Sequence, residues 1–171
     1  KQIKQIENLV NEFSDFARMP KPILKDNDLV IIIKDNINLI KELDDTIVLS
    51  FNPLRDNVFF NSDSEQLSRV IFNLIKNSIE SIQEKKQNIK DYKGKIEIEL
   101  NDKDIYIDLM IKDNGVGFGI FKDDVKNILN PYFTTKKNGT GLGLAIVNKI
   151  INDHDGSLGF KSLDNGALIQ I

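Results

Sequence analysis

The sequence predicts an α/β sandwich: a mixed, mostly antiparallel sheet with helices on one face, preceded by one N-terminal helix. Three observations predict it. Four stretches repeat apolar residues every three or four positions, the period of a helix packed on one side. Other stretches alternate apolar with polar, the period of a half-buried strand. The alternating stretches come as close pairs, KIEIEL with DIYIDLMI and SLGFKS with ALIQI, each joined by a few turn residues. Helices that come in a different part of the chain from such hairpins bury their apolar stripe by covering one face of the sheet.

The chain opens on KQIKQIENLVNEFSDFARMP. Ile3, Ile6, Val10, Phe13 and Ala17 form a heptad-like seam, and Leu9 and Phe16 widen it to suit a helical bundle. Pro20 and Pro22 end it. Asp28 can cap a second helix over Leu29 to Leu43, with Val30, Ile33, Ile37 and Ile40 as its stripe. TIVLSF (46–51) reads as a strand and NVFF (57–60) as its short partner. Asp63 with Gln66 has the pattern of a capping box. It opens the longest helix, about 64 to 84, striped by Leu67, Val70, Ile71, Leu74, Ile75, Ile79 and Ile82. The lysine-rich EKKQNIKDYKGK is a solvated connection. The first hairpin follows, with NDKD as its turn. A segment of little periodicity, apart from a short helical KDDVKNIL, leads to GTGLGL and a helix to about Asp153.

Composition narrows the chemistry. The 171 residues include no cysteine and one histidine, so thiolate chemistry is excluded and an imidazole zinc site is disfavoured. A net charge of -3 with both signs interspersed argues against nucleic acid as a partner. No apolar run is long enough to span a membrane. The chain begins without methionine and inside a helical pattern, which predicts a piece of something longer.

Three features carry chemistry. Asn73, Asn77 and Glu80 are four and three residues apart, so they share one helix face, either solvated or needing partners. DNGVGF (113–118) follows a strand directly, with Asp113 at its end and Gly115 and Gly117 loosening the turn. It is either a tight turn or a ligand loop. GTGLGL (139–144) puts glycines at a helix mouth, where uncapped amides and the helix dipole favour an anion. None fits a P-loop or a dinucleotide fingerprint.

In their order, the motifs resemble the ATP-binding domain of sensor histidine kinases, of the group that includes gyrase, Hsp90 and MutL. QLSRVIFNLIKNSIESI resembles the N box, DNGVGF the G1 box, PYFTTK (131–136) the F box and GTGLGLAI the G2 box. The wording is closest to the nitrogen-regulation type. The resemblance implies a Bergerat-type fold over residues 28–171, with an ATP lid over about 118–138. It also implies that residues 1–20 are the second helix of the dimerisation and histidine phosphotransfer domain.

Roles follow from the resemblance. Asp113 accepts the adenine amino group, while Gly115 and Gly117 admit the base. Asn77 is a Mg²⁺ ligand, Asn73 lies near the phosphates one turn earlier, and Glu80 holds a metal-bound water or faces the nucleotide rim. Phe133 anchors the lid and Lys136 reaches the phosphates. Gly139, Thr140, Gly141, Leu142 and Gly143 form the phosphate-binding helix mouth, and Leu142 and Leu144 fix the helix against the sheet. His154 is structural and not the phosphate acceptor. Asp155 stands where the family often has glycine, in a slot that aspartate tolerates.

The implied reaction moves the γ-phosphoryl of ATP to a protein histidine and then to a response-regulator aspartate. The acceptor helix resembles nothing present here. The alternative is an ATP-binding pseudokinase, or a non-kinase ATPase of the same fold. Gyrase-like relatives place a water-activating glutamate where Asn73 stands. The implied partners are ATP or ADP, the protein's own dimerisation domain, a receiver domain and a second copy of the whole protein. The domain is expected in the cytoplasm, with the whole protein anchored in a bacterial inner membrane.

Overall fold

A computed structural model describes residues 10, 13–14, 16–43, 46–103, 105–118, 125–136 and 139–171. Its elements in order are β1 (Lys25–Asp28), α1 (Leu29–Leu43), β2 (Val48–Phe51), β3 (Phe59–Ser62), α2 (Ser64–Asn88), β4 (Lys95–Asp102), β5 (Ile107–Asp113), α3 (Gly143–Asp153), β6 (Gly159–Leu163) and β7 (Gly166–Gln170). A 3-10 turn at Val125–Leu129 precedes α3. The main sheet runs β2-β4-β5-β7-β6, with β2 parallel to β4 and every other pair antiparallel. The expected mixed, mostly antiparallel sheet is therefore present.

Alternation explains the layering. On β4, Ile96, Ile98 and Leu100 turn into the core while Lys95 and Glu99 are exposed. Leu74, Ile75 and Ile82 of α2, Ile33 and Ile40 of α1, and Val147 and Ile150 of α3 meet them, all almost wholly buried. Burying one such side chain contributes about 1.5–3 kcal/mol.

Two features differ from the sequence reading. NVFF does not pair with TIVLSF. The strand there, β3, joins β1 in a separate two-stranded ribbon, with Lys25 opposite Ser62. The polar KDND of β1 carries no strand pattern, so only its partner reveals it. Val58 O accepts from the Leu29 amide, and Asp28 Oδ1 accepts from the amides of Val30 and Val58. These bonds tie the ribbon to the start of α1 and bear out the expected cap.

The capping box at Asp63 is made only in half. Asp63 Oδ1 accepts from the Glu65 and Gln66 amides, but Gln66 Nε2 donates to Pro20 O instead of reaching back. The Asp63 amide donates to Nε2 of His154, 3.0 Å away, and Nδ1 of His154 faces Ile150 O at 2.8 Å. A nitrogen that accepts from an amide carries no proton, so the second nitrogen is the donor. The lone histidine thus joins the end of α3 to the start of α2 through both of its ring nitrogens. Beyond it, Asp155 has φ 58, its amide donates to Asn152 O, and the Gly156 amide donates to Ile151 O. That is a Schellman closure with aspartate in the left-handed slot.

Most of the opening helix, including Ile3, Ile6 and Leu9, lies outside the described residues. Residues 10, 13–14 and 16–17 are helical, and the Arg18 amide bonds Ser14 O. Phe16 and Met19 pack on the core, and Phe13 stacks on Tyr132 at 6.4 Å. Residues 119–124 and 137–138 of the expected lid also lie outside the described residues.

His154→Ala leaves the part-buried Asp63 amide without its acceptor. It is expected to destabilise the chain by about 1–3 kcal/mol in urea unfolding while leaving nucleotide affinity unchanged. A loss below the error of extrapolation would remove the histidine from the set of structural contacts.

Candidate functional site

α2 carries two stripes. The apolar one faces the core. The other runs Asn73, Asn77, Glu80 and Glu84, four, three and four residues apart, and lines a cavity of about 530 Å³. The end of β5, the 3-10 turn, the F-box segment and the mouth of α3 complete its wall. Asp113, Gly117, Phe118, Ile128, Phe133 and Thr140 are among its lining residues.

Asp113 is the buried charge of the site, 4% exposed. Ser78 Oγ donates to its Oδ2 at 3.1 Å, and the Gly115 amide donates to its Oδ1 at 2.8 Å. Burial raises its pKa above the ordinary carboxylate value. Bonds from Gly115, Ser78 and Ala167 and the charge of Lys85 oppose the rise without cancelling it. A buried carboxylate that lines a cavity and has acceptor capacity beyond its three bonds suits a donor group of a ligand.

Gly115 itself is not on the cavity wall. It packs on the α2 backbone, where a Cβ would stand 2.7 Å from the Ser81 carbonyl carbon and 2.8 Å from the Ile82 nitrogen. The absent side chain is what lets β5 end against the helix. Gly117 and Gly143 do line the cavity.

The mouth of α3 is uncapped. Leu142 is its N-cap residue, and no side chain there bonds the first-turn amides. Gly139, Thr140, Gly141, Gly143 and Leu144 face the cavity. Leu142 does not: its side chain is fully buried in the core. Burial turns Leu142 toward the sheet, where it fixes the helix as the sequence reading expects, and its neighbours form the cavity wall. Gly141 has φ 71, and a Cβ there would lie 2.7 Å from Tyr132 O. The Tyr132 amide donates to Gly141 O at 3.0 Å, so the F-box segment is fastened to the glycine loop.

Lys136 reaches across the cavity to α2. Its Nζ donates to Asn77 Oδ1 at 3.2 Å and pairs with Glu80 Oε2. With both partners more than a third exposed, such a pair contributes only about 0–1 kcal/mol. Asn73 donates back to Arg69 O at 2.9 Å, leaving its oxygen toward Gly143.

Ser78, Ser81 and Lys85 escaped the sequence reading. Ser78 had a legible signal, since it occupies a position of the apolar stripe between Ile75 and Ile82. Ser81 Oγ is buried with no partner among the described residues. Lys85 sits in a stretch that reads as solvated lysines and gives no signal of its own.

A deep carboxylate, an amide-bearing helix mouth and convergent oxygens on one cavity suit a nucleotide. The chain belongs to the histidine kinase-, DNA gyrase B- and HSP90-like ATPase family, whose profile matches residues 62–171. Within that class its relatives are sensor histidine kinases. An NtrY-like protein of Rickettsia prowazekii is 36% identical over 167 residues, 97% of this chain. The chain spans 26% of that relative's length. The catalytic domain of histidine kinase ThkA superposes with a TM-score of 0.71 at 27% identity, over 86% of this chain and 92% of that one. ThkA in complex with response regulator protein TrrA superposes over 99% of this chain and 47% of that one, with a TM-score of 0.76 at 22% identity.

A carboxyl whose folded pKa lies above its unfolded one adds stability that is complete below the unfolded value and is lost as pH rises through the folded one. The thermal stability of the nucleotide-free chain, measured relative to Asp113→Asn, is therefore expected to decline from acid to neutral pH. A relative stability that climbs over that range would contradict the burial effect.

Proposed function

We propose that this chain is the catalytic ATP-binding domain of a two-component sensor histidine kinase, with residues 28–171 as the catalytic unit and 1–20 as part of a dimerisation helix. The observation that carries the proposal is that Asp113, Asn77 and the uncapped α3 mouth line one cavity, a set of groups that a base, a metal and phosphates would need. Family membership and the likeness to ThkA support it.

Asp113 accepts the adenine amino group, a charge-assisted bond that strengthens out of water. Phe133 anchors the lid segment. The amides of Gly141 and Gly143 and the hydroxyl of Thr140 hold phosphate oxygens. Asn77 Oδ1 and the Glu80 carboxylate already converge on one cation, the Lys136 ammonium. Hard oxygens so placed fit Mg²⁺, with Asn77 as direct ligand and Glu80 on its water shell. Bound with the nucleotide, the metal supplies neutralisation of phosphate charge. Lys136 exchanges its weak pair with Glu80 for the phosphates.

In the transfer, a histidine nitrogen of the dimerisation domain bonds to the γ-phosphorus, the bond to the bridging oxygen breaks, and ADP leaves with the displaced electron pair. The proton on the second ring nitrogen then passes to water. Positioning and charge neutralisation are the work of the site. The phosphoryl group then passes to an aspartate of a response regulator, the class of partner that ThkA is seen with. The whole protein acts as a homodimer anchored in a membrane. Among the described residues no helix is long and apolar enough to cross one.

Incubated with labelled ATP and a separately supplied dimerisation domain, the chain is expected to place acid-labile label on that domain and none on His154. Asp113→Ala should weaken ADP binding at least about tenfold in calorimetry, by loss of a charged acceptor. Label on His154, or unchanged affinity in the folded variant, would contradict the assignment.

Asn73 lies by the helix mouth, and its amide cannot take a proton from water as a carboxylate can. Asn73→Glu is expected to raise the slow ATPase rate above both the wild type and Asn73→Gln. Equal phosphate release from all three at saturating Mg-ATP would show that position 73 does not separate kinase from hydrolase.

A further inference from the structure

Lys85 lies behind the base end of the cavity, where α2, the β5 turn and the β6–β7 turn meet. Its Nζ donates to Asn114 O at 3.0 Å and Gly115 O at 2.9 Å, and bonds Asn165 Oδ1. It also sits 5.0 Å from the centre of the Tyr92 ring, whose hydroxyl donates to the same Asn114 O at 2.5 Å. The two carbonyls belong to the turn that carries Asp113. The Gly115 amide, one atom group away from the clamped carbonyl, is the donor to Asp113 Oδ1.

We infer that Lys85 is a positioning residue for the nucleotide site: its ammonium clamps the turn after Asp113 to α2 and supplies the positive charge that the buried carboxylate needs. The inference rests on the reading of Asp113 as the adenine acceptor. An ammonium has three donors and no acceptor, and here all three are spent on two turns that face each other across Asp113. Losing them frees both the aim of the Gly115 amide and the charge balance.

The other charged groups around Asp113 do not substitute. α2 brings Glu80 and Glu84 to the same cavity, both of the wrong sign, and Lys76, whose side chain is exposed to solvent and does not act on the Asp113 carboxyl as Lys85 does. The F-box segment brings Lys136, which is paired with Glu80. β4 carries Lys95 and Glu97, which pair with each other and with Lys112 of β5 on the outer face of the sheet. β7 carries none. The turn before β4 brings Tyr92. The charge of Lys85 lowers the Asp113 pKa against the larger effect of burial.

The test follows the Asp113 carboxyl carbon by NMR through a pH titration of the nucleotide-free chain, in wild type, Lys85→Met, Lys85→Gln and Lys85→Arg. ADP affinity is measured by calorimetry over the same pH range, with Asp113→Asn as reference because the phosphate titration is common to all. Lys85→Met is expected to move the Asp113 midpoint upward and to weaken ADP binding near neutral pH, with recovery as pH rises. Lys85→Gln keeps a donor for the turn without the charge and should also raise the midpoint, so the test survives a poorly folded methionine variant. Lys85→Arg should restore both readings. An unmoved midpoint in the Met and Gln variants overturns the inference. A raised midpoint that ADP affinity ignores overturns instead the adenine role of Asp113 beneath it.

Discussion

A carboxylate held out of water at the end of β5 is the constraint around which this domain is arranged. Burying Asp113 is unfavourable unless its lone pairs are met and its charge is balanced. Ser78 meets it from α2, the Gly115 amide from its own turn, and Ala167 from β7. Each comes from a different element, so the carboxylate fixes the junction of helix, turn and sheet. That the pKa remains raised shows the compensation to be incomplete in the nucleotide-free chain. A ligand donor aimed at the free lone pairs would complete it, which ties binding energy to an interaction the fold leaves unfinished.

α2 is the element that makes this possible. Its apolar stripe anchors it to the sheet through Leu74, Ile75 and Ile82, all fully buried. Fixing that stripe also fixes the polar stripe beside it, because one backbone sets the direction of both. Asn73, Asn77 and Glu80 therefore face the cavity by the geometry of the helix itself, where Asn77 and Glu80 meet Lys136 and Asn73 bonds back to Arg69 O. The helix can approach the strand end closely because Gly115 presents no side chain to Ser81 and Ile82. The G1 and N boxes are thus two halves of one packing contact.

The opposite wall is held more weakly. The F-box segment is fastened to the glycine loop by the Tyr132–Gly141 bond, and to α2 by the half-exposed pair of Lys136 with Glu80. Phe13 of the helical segment stacks on Tyr132. Contacts with the opening helix and with the nucleotide cavity consequently meet in one short stretch. The carboxylate end, tied by several elements, and the F-box wall, tied by fewer bonds, suit a site that grips one end of a ligand more firmly than the other.

The sequence by itself determined the class of fold, the three helices and both hairpins, and most of the residues it singled out for the site do line the cavity. It could do so because periodicity and turn chemistry are local: Ile96, Ile98 and Leu100 alternate whatever they pack against, and four motifs in order carry their own spacing. It also marked Asp28 and Asp63 as caps, since a cap acts within its own turn. Only the tertiary structure decided what depends on residues distant in the chain. KDND becomes a strand because β3 lies beside it. The missing half of the Asp63 box is supplied by His154, 91 residues away. Lys85, read as one lysine of a solvated run, gains its place only when two turns from separate strands arrive around it. Each of these is a hydrogen bond or a burial whose partner lies far along the chain, and no local pattern encodes the position of a distant partner.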